Sequence, residues 1–138
     1  MESKMNPYIN FKNTCLEAME FYKSVFGGTL TTTTFKAGGA PCAPEKENNI
    51  MHAMLIADNG ITLMASDCPS GMEYKYGTNI SISLSGENEA ELTAYYTKLS
   101  SGGTVEQPLT KAPWGDTFGM FMDKFGIRWM VNITAKKA

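Results

Sequence analysis

Thr78-Asn79-Ile80-Ser81-Ile82-Ser83-Leu84-Ser85 lies near the middle of the chain and alternates apolar with small polar residues at every step. A period of two predicts a strand, with Ile80, Ile82 and Leu84 toward a core and Asn79, Ser81 and Ser83 on the other face. That second face lacks the long charged side chains that usually meet solvent. Its short, uncharged hydrogen-bonding groups suit the wall of a small-molecule cavity as well as they suit water, and on this stretch alone both readings stand.

Working outward, the chain has 138 residues, the length of one ordinary domain, and buries roughly two thirds of its unfolded surface without staples. A net charge of -2 and a single arginine, Arg128, leave no clustered basic face for nucleic acid. The lysines are scattered, so no polybasic membrane patch forms. Cys15, Cys42 and Cys68 are odd in number and lack metal-type spacing, which fits a reducing cytoplasm. Met1 to Lys4 is polar and Pro7 follows, so neither a signal peptide nor a membrane-spanning run is expected.

Upstream, Pro7 to Phe11 reads as a short strand. Thr14 and Glu17 have capping-box spacing, and Cys15, Ala18, Met19, Tyr22, Val25 and Phe26 form one helical stripe that Gly27-Gly28 ends. Thr29 to Phe35 is β-branched and polar, hence a strand near an edge, and Ala37 to Asn49 is a loop. Ile50 to Ala57 and Ile61 to Ser66 form a hairpin around Asp58-Asn59-Gly60, and Asp67 to Gly77 connects to the central strand.

Downstream, Asn88 and Glu91 have N-cap spacing, and Leu92, Tyr95, Tyr96 and Leu99 form a second stripe ended by Gly102-Gly103. Thr104 to Leu109 is an edge strand interrupted by Pro108, Lys111 to Asp116 is a loop, and Thr117 to Met122 and Ile127 to Ile133 close the chain around Asp123-Lys124-Phe125-Gly126. The chain therefore repeats. Gly27-Gly28-Thr29-Leu30 corresponds to Gly102-Gly103-Thr104-Val105, and Gly60-Ile61 corresponds to Gly126-Ile127. Each half is βαβββ, an α+β arrangement with module 1 over about 7–66, a linker over 67–77 and module 2 over 78–133 of a single domain. One helix covers only one face of each sheet, so the bare faces are expected to enclose a shared cleft.

Tyr8-Ile9-Asn10-Phe11, Glu20 to Gly28, Ile50-Met51-His52-Ala53, Leu63 to Asp67, Trp114 to Gly119 and Asp123 to Met130 together resemble the PhnB-like branch of the vicinal oxygen chelate superfamily. That superfamily also holds glyoxalase I, bleomycin-resistance proteins and extradiol dioxygenases. The resemblance implies paired βαβββ modules with curved mixed sheets around a cleft, and a homodimer. It implies no single reaction, because the fold hosts many. In metal-using members, His or Glu ligands stand on the first and last strands of each half. The resemblance puts those places at Tyr8, Asn79, Met64 and Met130, a poor donor set for Zn, Ni, Fe or Mn. No metal and no cofactor are expected.

Extending that parity, the cavity-facing set is Tyr8, Asn10, Thr62, Met64, Ser66, Asn79, Ser81, Ser83, Arg128, Met130 and Asn132. The opposite parity, which includes Ile80, is almost purely apolar. His52, the only histidine, is the candidate catalytic group. A two-residue turn after Asp58 puts it on the core side, and a three-residue turn puts it opposite Ser66 on the cavity side; the resemblance favours the second. Trp114 either stacks on a planar ligand or anchors its loop, and Arg128 either fixes an anionic group or pairs with Asp116, Asp67 or another carboxylate.

The candidate ligand-binding set is thus Tyr8, Asn10, His52, Met64, Ser66, Asn79, Ser81, Trp114, Arg128 and Met130. Methionines beside short polar groups suit an adaptable pocket. The expected function is binding or sequestration of a small organic molecule in a metal-free cleft. The alternative is a glyoxalase- or dioxygenase-type enzyme using a noncanonical metal or His52 as general base.

Overall fold

A helix with one apolar stripe needs a surface to lie on, and each half of the chain supplies a four-stranded sheet. The computed structural model describes residues 3–39, 42–69, 74, 75, 77 and 79–135. The chain divides into two units, Met1–Lys75 and Tyr76–Ala138.

The first unit contains β1 (Tyr8–Phe11), α1 (Cys15–Phe26), β2 (Thr29–Thr34), the single turn α2 (Phe35–Gly38), β3 (Ile50–Ile56) and β4 (Thr62–Asp67). Its sheet has the order β1-β4-β3-β2, with β1 parallel to β4 and the other pairs antiparallel. The stripe of α1 is buried against Phe11, Ala53, Leu55, Leu63 and Ala65. Each large side chain so buried contributes about 1.5–3 kcal/mol of transfer free energy.

The expected capping box does not form. Thr14 makes no side-chain cap bond, and the first helical N–H, that of Cys15, donates to Asp67 Oδ1 at 2.9 Å. Asp67 Oδ2 accepts from Ile50 N at 2.8 Å, so one carboxylate, only 2% exposed, ties the helix start to the ends of β3 and β4. A charged acceptor at a helix N-terminus also meets the positive end of the helix dipole, which outweighs a hydroxyl cap.

The second unit contains β5 (Ile82–Gly86), α3 (Glu89–Ser100), β6 (Thr104–Lys111), β7 (Thr117–Met122) and β8 (Arg128–Ile133), in sheet order β5-β8-β7-β6. Here the predicted cap is present, with Asn88 Oδ1 accepting from Glu91 N at 3.1 Å. Leu92, Tyr95, Tyr96 and Leu99 are buried on Leu84, Phe121, Trp129, Val131 and Ile133. The repeat holds in detail: Gly28 lies against the backbone of Ile56 and Ala57, and Gly103 against that of Met122 and Asp123, each too close to admit a Cβ.

Several boundaries move. The decisive strand begins at Ile82, and Thr78 lies outside the described residues. Ile82 pairs with Trp129, and β8 starts only at Arg128, so Asn79 and Ile80 run past the start of β8 and have no ladder to join. Ile80, expected in the core, is 78% exposed for that reason. Phe35 opens α2 instead of ending β2, and Thr34 Oγ1 caps that turn by accepting from Ala37 N. A 3-10 turn, Pro44–Lys46, lies within the expected loop. Strand β6 extends through Thr110 and Lys111, with register shifts on both sides of Gln107 near Pro108. Strands β2 and β6 are edges, as the polarity of the first and Pro108 in the second predict.

Candidate functional site: the uncovered sheet faces

In the first unit, Ile56 pairs with Thr62 and Ala57 N donates to Ile61 O at 2.8 Å, leaving a three-residue turn at 58–60. Ala53 therefore pairs with Ala65 on the helix side, and His52 comes level with Ser66 on the uncovered side. The His52 and Tyr8 rings lie 5.9 Å apart at 50°. Strand β4 runs between their two strands, so the two rings approach each other across it, Tyr8 from the level of Met64 and His52 from that of Ser66. Ser66 Oγ donates to Asn10 Oδ1 at 3.0 Å. The structure thus brings together Tyr8, Asn10, His52, Met64 and Ser66, and adds Met54, directly opposite Met64.

In the second unit, the same face carries Met130 opposite Met120, Arg128 opposite Met122, and Asn132 opposite Phe118. Arg128 Nη2 pairs with Glu106 Oε2 at 2.9 Å, the "another carboxylate" of the sequence alternatives, while its buried Nε has no hydrogen-bond partner. Trp114, 62% exposed, sets its ring 5.7 Å from Phe118 at 64°. Together they wall a cavity of about 290 Å³ shared with Pro113, Met120, Gln107 and Thr110. Asp116 holds the Trp114 loop: its oxygens accept from Asn132 Nδ2 and Ala135 N, both at 3.0 Å. The Asn132 bond, then the Ala135 bond, lower its carboxyl below the usual range.

Asn79 and Ser81 precede β5, which starts at Ile82. The register puts Ser83 across from Met130, just as Tyr8 is across from Met64. The first unit thus pairs a phenol with a thioether, Tyr8 with Met64, and the second a hydroxyl with a thioether, Ser83 with Met130. Neither pair offers the imidazole, carboxylate or thiolate donors that Zn, Ni, Fe or Mn take. Among the described residues, no group of three or more His, Cys, Asp or Glu is placed to hold an ion. Cys15 is no nucleophile: burial, and then the charge of Asp67, push its thiol up to about 12.

Met54, Met120, Phe118, Gln107 and Thr110 were missed by sequence reading. The repeat contained the signal for two of them, because the shift of 66 residues that takes Gly60 to Gly126 also takes Met64 to Met130 and Met54 to Met120.

Residues 8–131 match the Glyoxalase/Bleomycin resistance protein/Dioxygenase superfamily, and the chain belongs to that family. It is similar to Protein YjdN of Escherichia coli, at 24% identity over 96% of this chain and 97% of that protein. Among solved structures, protein PA1353 from Pseudomonas aeruginosa shares 36% identity with a TM-score of 0.85, covering 98% of this chain and 100% of that one. The PhnB protein from Bacillus cereus shares the fold, at 24% identity and TM-score 0.74 over 96% of this chain and 100% of that one. No helix among the described residues is long and apolar enough to cross a membrane.

Proposed function

We propose that this protein binds or sequesters a small organic molecule against its uncovered sheet faces, without a divalent metal, and acts as a cytoplasmic homodimer. One observation carries the reading. In both units the face away from the helix holds directly opposed methionines, Met54 with Met64 and Met120 with Met130, beside short polar groups or aromatic rings. Thioethers mould to varied ligand shapes, and neutral hydroxyls and amides orient a ligand without charge. The candidate binding groups are Tyr8, Asn10, His52, Met64 and Ser66 in the first unit and Trp114, Arg128 and Met130 in the second. Ser83 replaces Asn79 and Ser81 as the β5 contributor.

Thermal-shift screening of the full chain against metabolites and aromatic compounds tests this reading. A ligand that binds only the native state at 100 times its dissociation constant adds about 2.7 kcal/mol of stability. Stabilisation that is lost in Met64→Ala or Met130→Ala supports the proposal. Stoichiometric Zn, Ni, Fe or Mn in protein purified without chelator, or no stabilisation across the library, overturns it.

A further inference from the structure

We infer that the second unit carries its own subsite for a planar, uncharged one- or two-ring aromatic with a hydrogen-bonding edge, a refinement that rests on the binding function proposed above. The subsite begins with an irregularity in the backbone. β6 pairs regularly with β7 at Thr104 and Val105 and again at Thr110 and Lys111, but its register shifts on both sides of Gln107. Pro108 has no N–H to offer the ladder, and Tyr96 Oη donates to Gln107 O at 3.1 Å, holding the displaced strand in place. The displacement leaves the cavity of about 290 Å³ over Met120 and Phe118. That volume is at the lower end for organic-ligand pockets, which limits the occupant to a small ring system.

The cavity's outer wall is a fixed aromatic. Ala112 N donates to Asp116 O at 2.7 Å and Gly115 N to Ala112 O at 2.9 Å, and the Asp116 side chain ties the turn to β8 and to Ala135. Trp114 is therefore held out, largely exposed, on a fastened loop. Its tilt against Phe118 is the edge-to-face arrangement, which leaves ring surface open to a stacking partner. Pre-organisation of this kind lowers the ordering cost of binding.

The neutral character follows from the nearby charges. Glu106 and Arg128 neutralise each other, and both Asp116 oxygens already accept hydrogen bonds. Lys111 borders the cavity but pairs with Thr117, one step out of phase with the Thr110–Phe118 pair, so its Cβ starts out toward the opposite face. What remains for a ligand edge is the Gln107 amide and the acceptor side of the Thr110 hydroxyl, whose proton goes to Pro108 O at 3.4 Å. An ionic ligand would lose hydration without a counter-charge, and a neutral one would not.

The test uses three probes on one ring system: 2-naphthamide, 2-naphthoate and 2-naphthylmethylammonium. Trp114 fluorescence reports binding, because the other tryptophan, Trp129, is buried and hydrogen-bonded to Asp123. The expected result is saturable quenching with the amide at least tenfold tighter than either ion, and at least tenfold loss of amide affinity by calorimetry in Trp114→Ala and in Phe118→Leu. Equal or tighter binding of an ion overturns the neutral class, and unchanged amide binding in both variants overturns the site. If none of the three binds while other library compounds stabilise the protein, this subsite falls and the broader binding function survives. If nothing in the library binds, both fall.

Discussion

Each unit buries one aspartate, but at opposite ends of the strand pair that closes its sheet. In the first unit Asp67 ends β4 and holds Cys15 N and Ile50 N; the matching position in the second unit is Ile133. In the second unit Asp123 opens the β7–β8 turn and, at 3% exposure, accepts from Phe125 N, Ile127 N and Trp129 Nε1. Its counterpart in the first unit is Ala57, which makes the same backbone bonds and has no carboxylate. The repeat therefore conserves backbone and apolar stripe, while the polar fastening is local to each copy. The second helix can use Asn88 as its cap, while the first takes its anion from β4, 52 residues away.

Removing these carboxylates should have the largest effects. Asp123→Ala leaves Trp129 Nε1 buried without its acceptor and releases two turn amides, so a loss of about 3–5 kcal/mol is expected in urea denaturation. Asp67→Ala, with two buried amides released, should cost about 2–4 kcal/mol. Equal, negligible losses in both would break the comparison. Next come the matched glycines. A Cβ on Gly28 meets Ile56 O and one on Gly103 meets Met122 O, and of these two glycines Gly28 has the left-handed φ, 91°. Both Ala variants should lose about 2 kcal/mol or more by overpacking, with Gly28→Ala the worse by about 1 kcal/mol.

Cys15 sharpens the comparison through pH. Its thiol in the folded chain is pushed up to about 12, from an ordinary value of 9.0. The unfolded chain therefore loses this proton first, and the folded state loses stability as pH rises above 9. Between pH 9 and 10.5, wild type should lose about 1.5 kcal/mol more than Cys15→Ala, measured by denaturant titration at each pH. A parallel decline in the two proteins would refute the buried-thiol account. The smallest effect separates the two helix starts: Asn88→Ala should cost about 1 kcal/mol and Thr14→Ala close to nothing, since only Asn88 makes a cap bond. A substantial loss in Thr14→Ala would mean that Asp67 is not the working cap.

Much of the fold was legible because it rests on local periodicity. The stripes of α1 and α3, the glycine pairs at 27–28 and 102–103, and the alternation in β4 and β8 each show within a short window, and the structure keeps all of them. The limits of β5 were not legible. Asn79 and Ile80 alternate as well as any strand, but a strand needs a neighbour, and the start of β8 decides where the neighbour begins. Thr14 fails for a related reason: its local cap signal is real, but a distant carboxylate forms the stronger bond.

The candidate site divides in the same way. By itself the sequence determined which residues share a sheet face, because side chains alternate with a period of two whatever the partner strand. Tyr8, Asn10, Met64, Ser66, Arg128 and Met130 all follow from that rule. Only the tertiary structure decided which of them meet. The three-residue turn placed His52 beside Tyr8, the parallel register put Ser83 in the place expected for Asn79, and the displaced β6 opened a cavity beneath Trp114. Register and bulges depend on pairing between strands far apart in the chain, and no local pattern encodes where two such strands come into line.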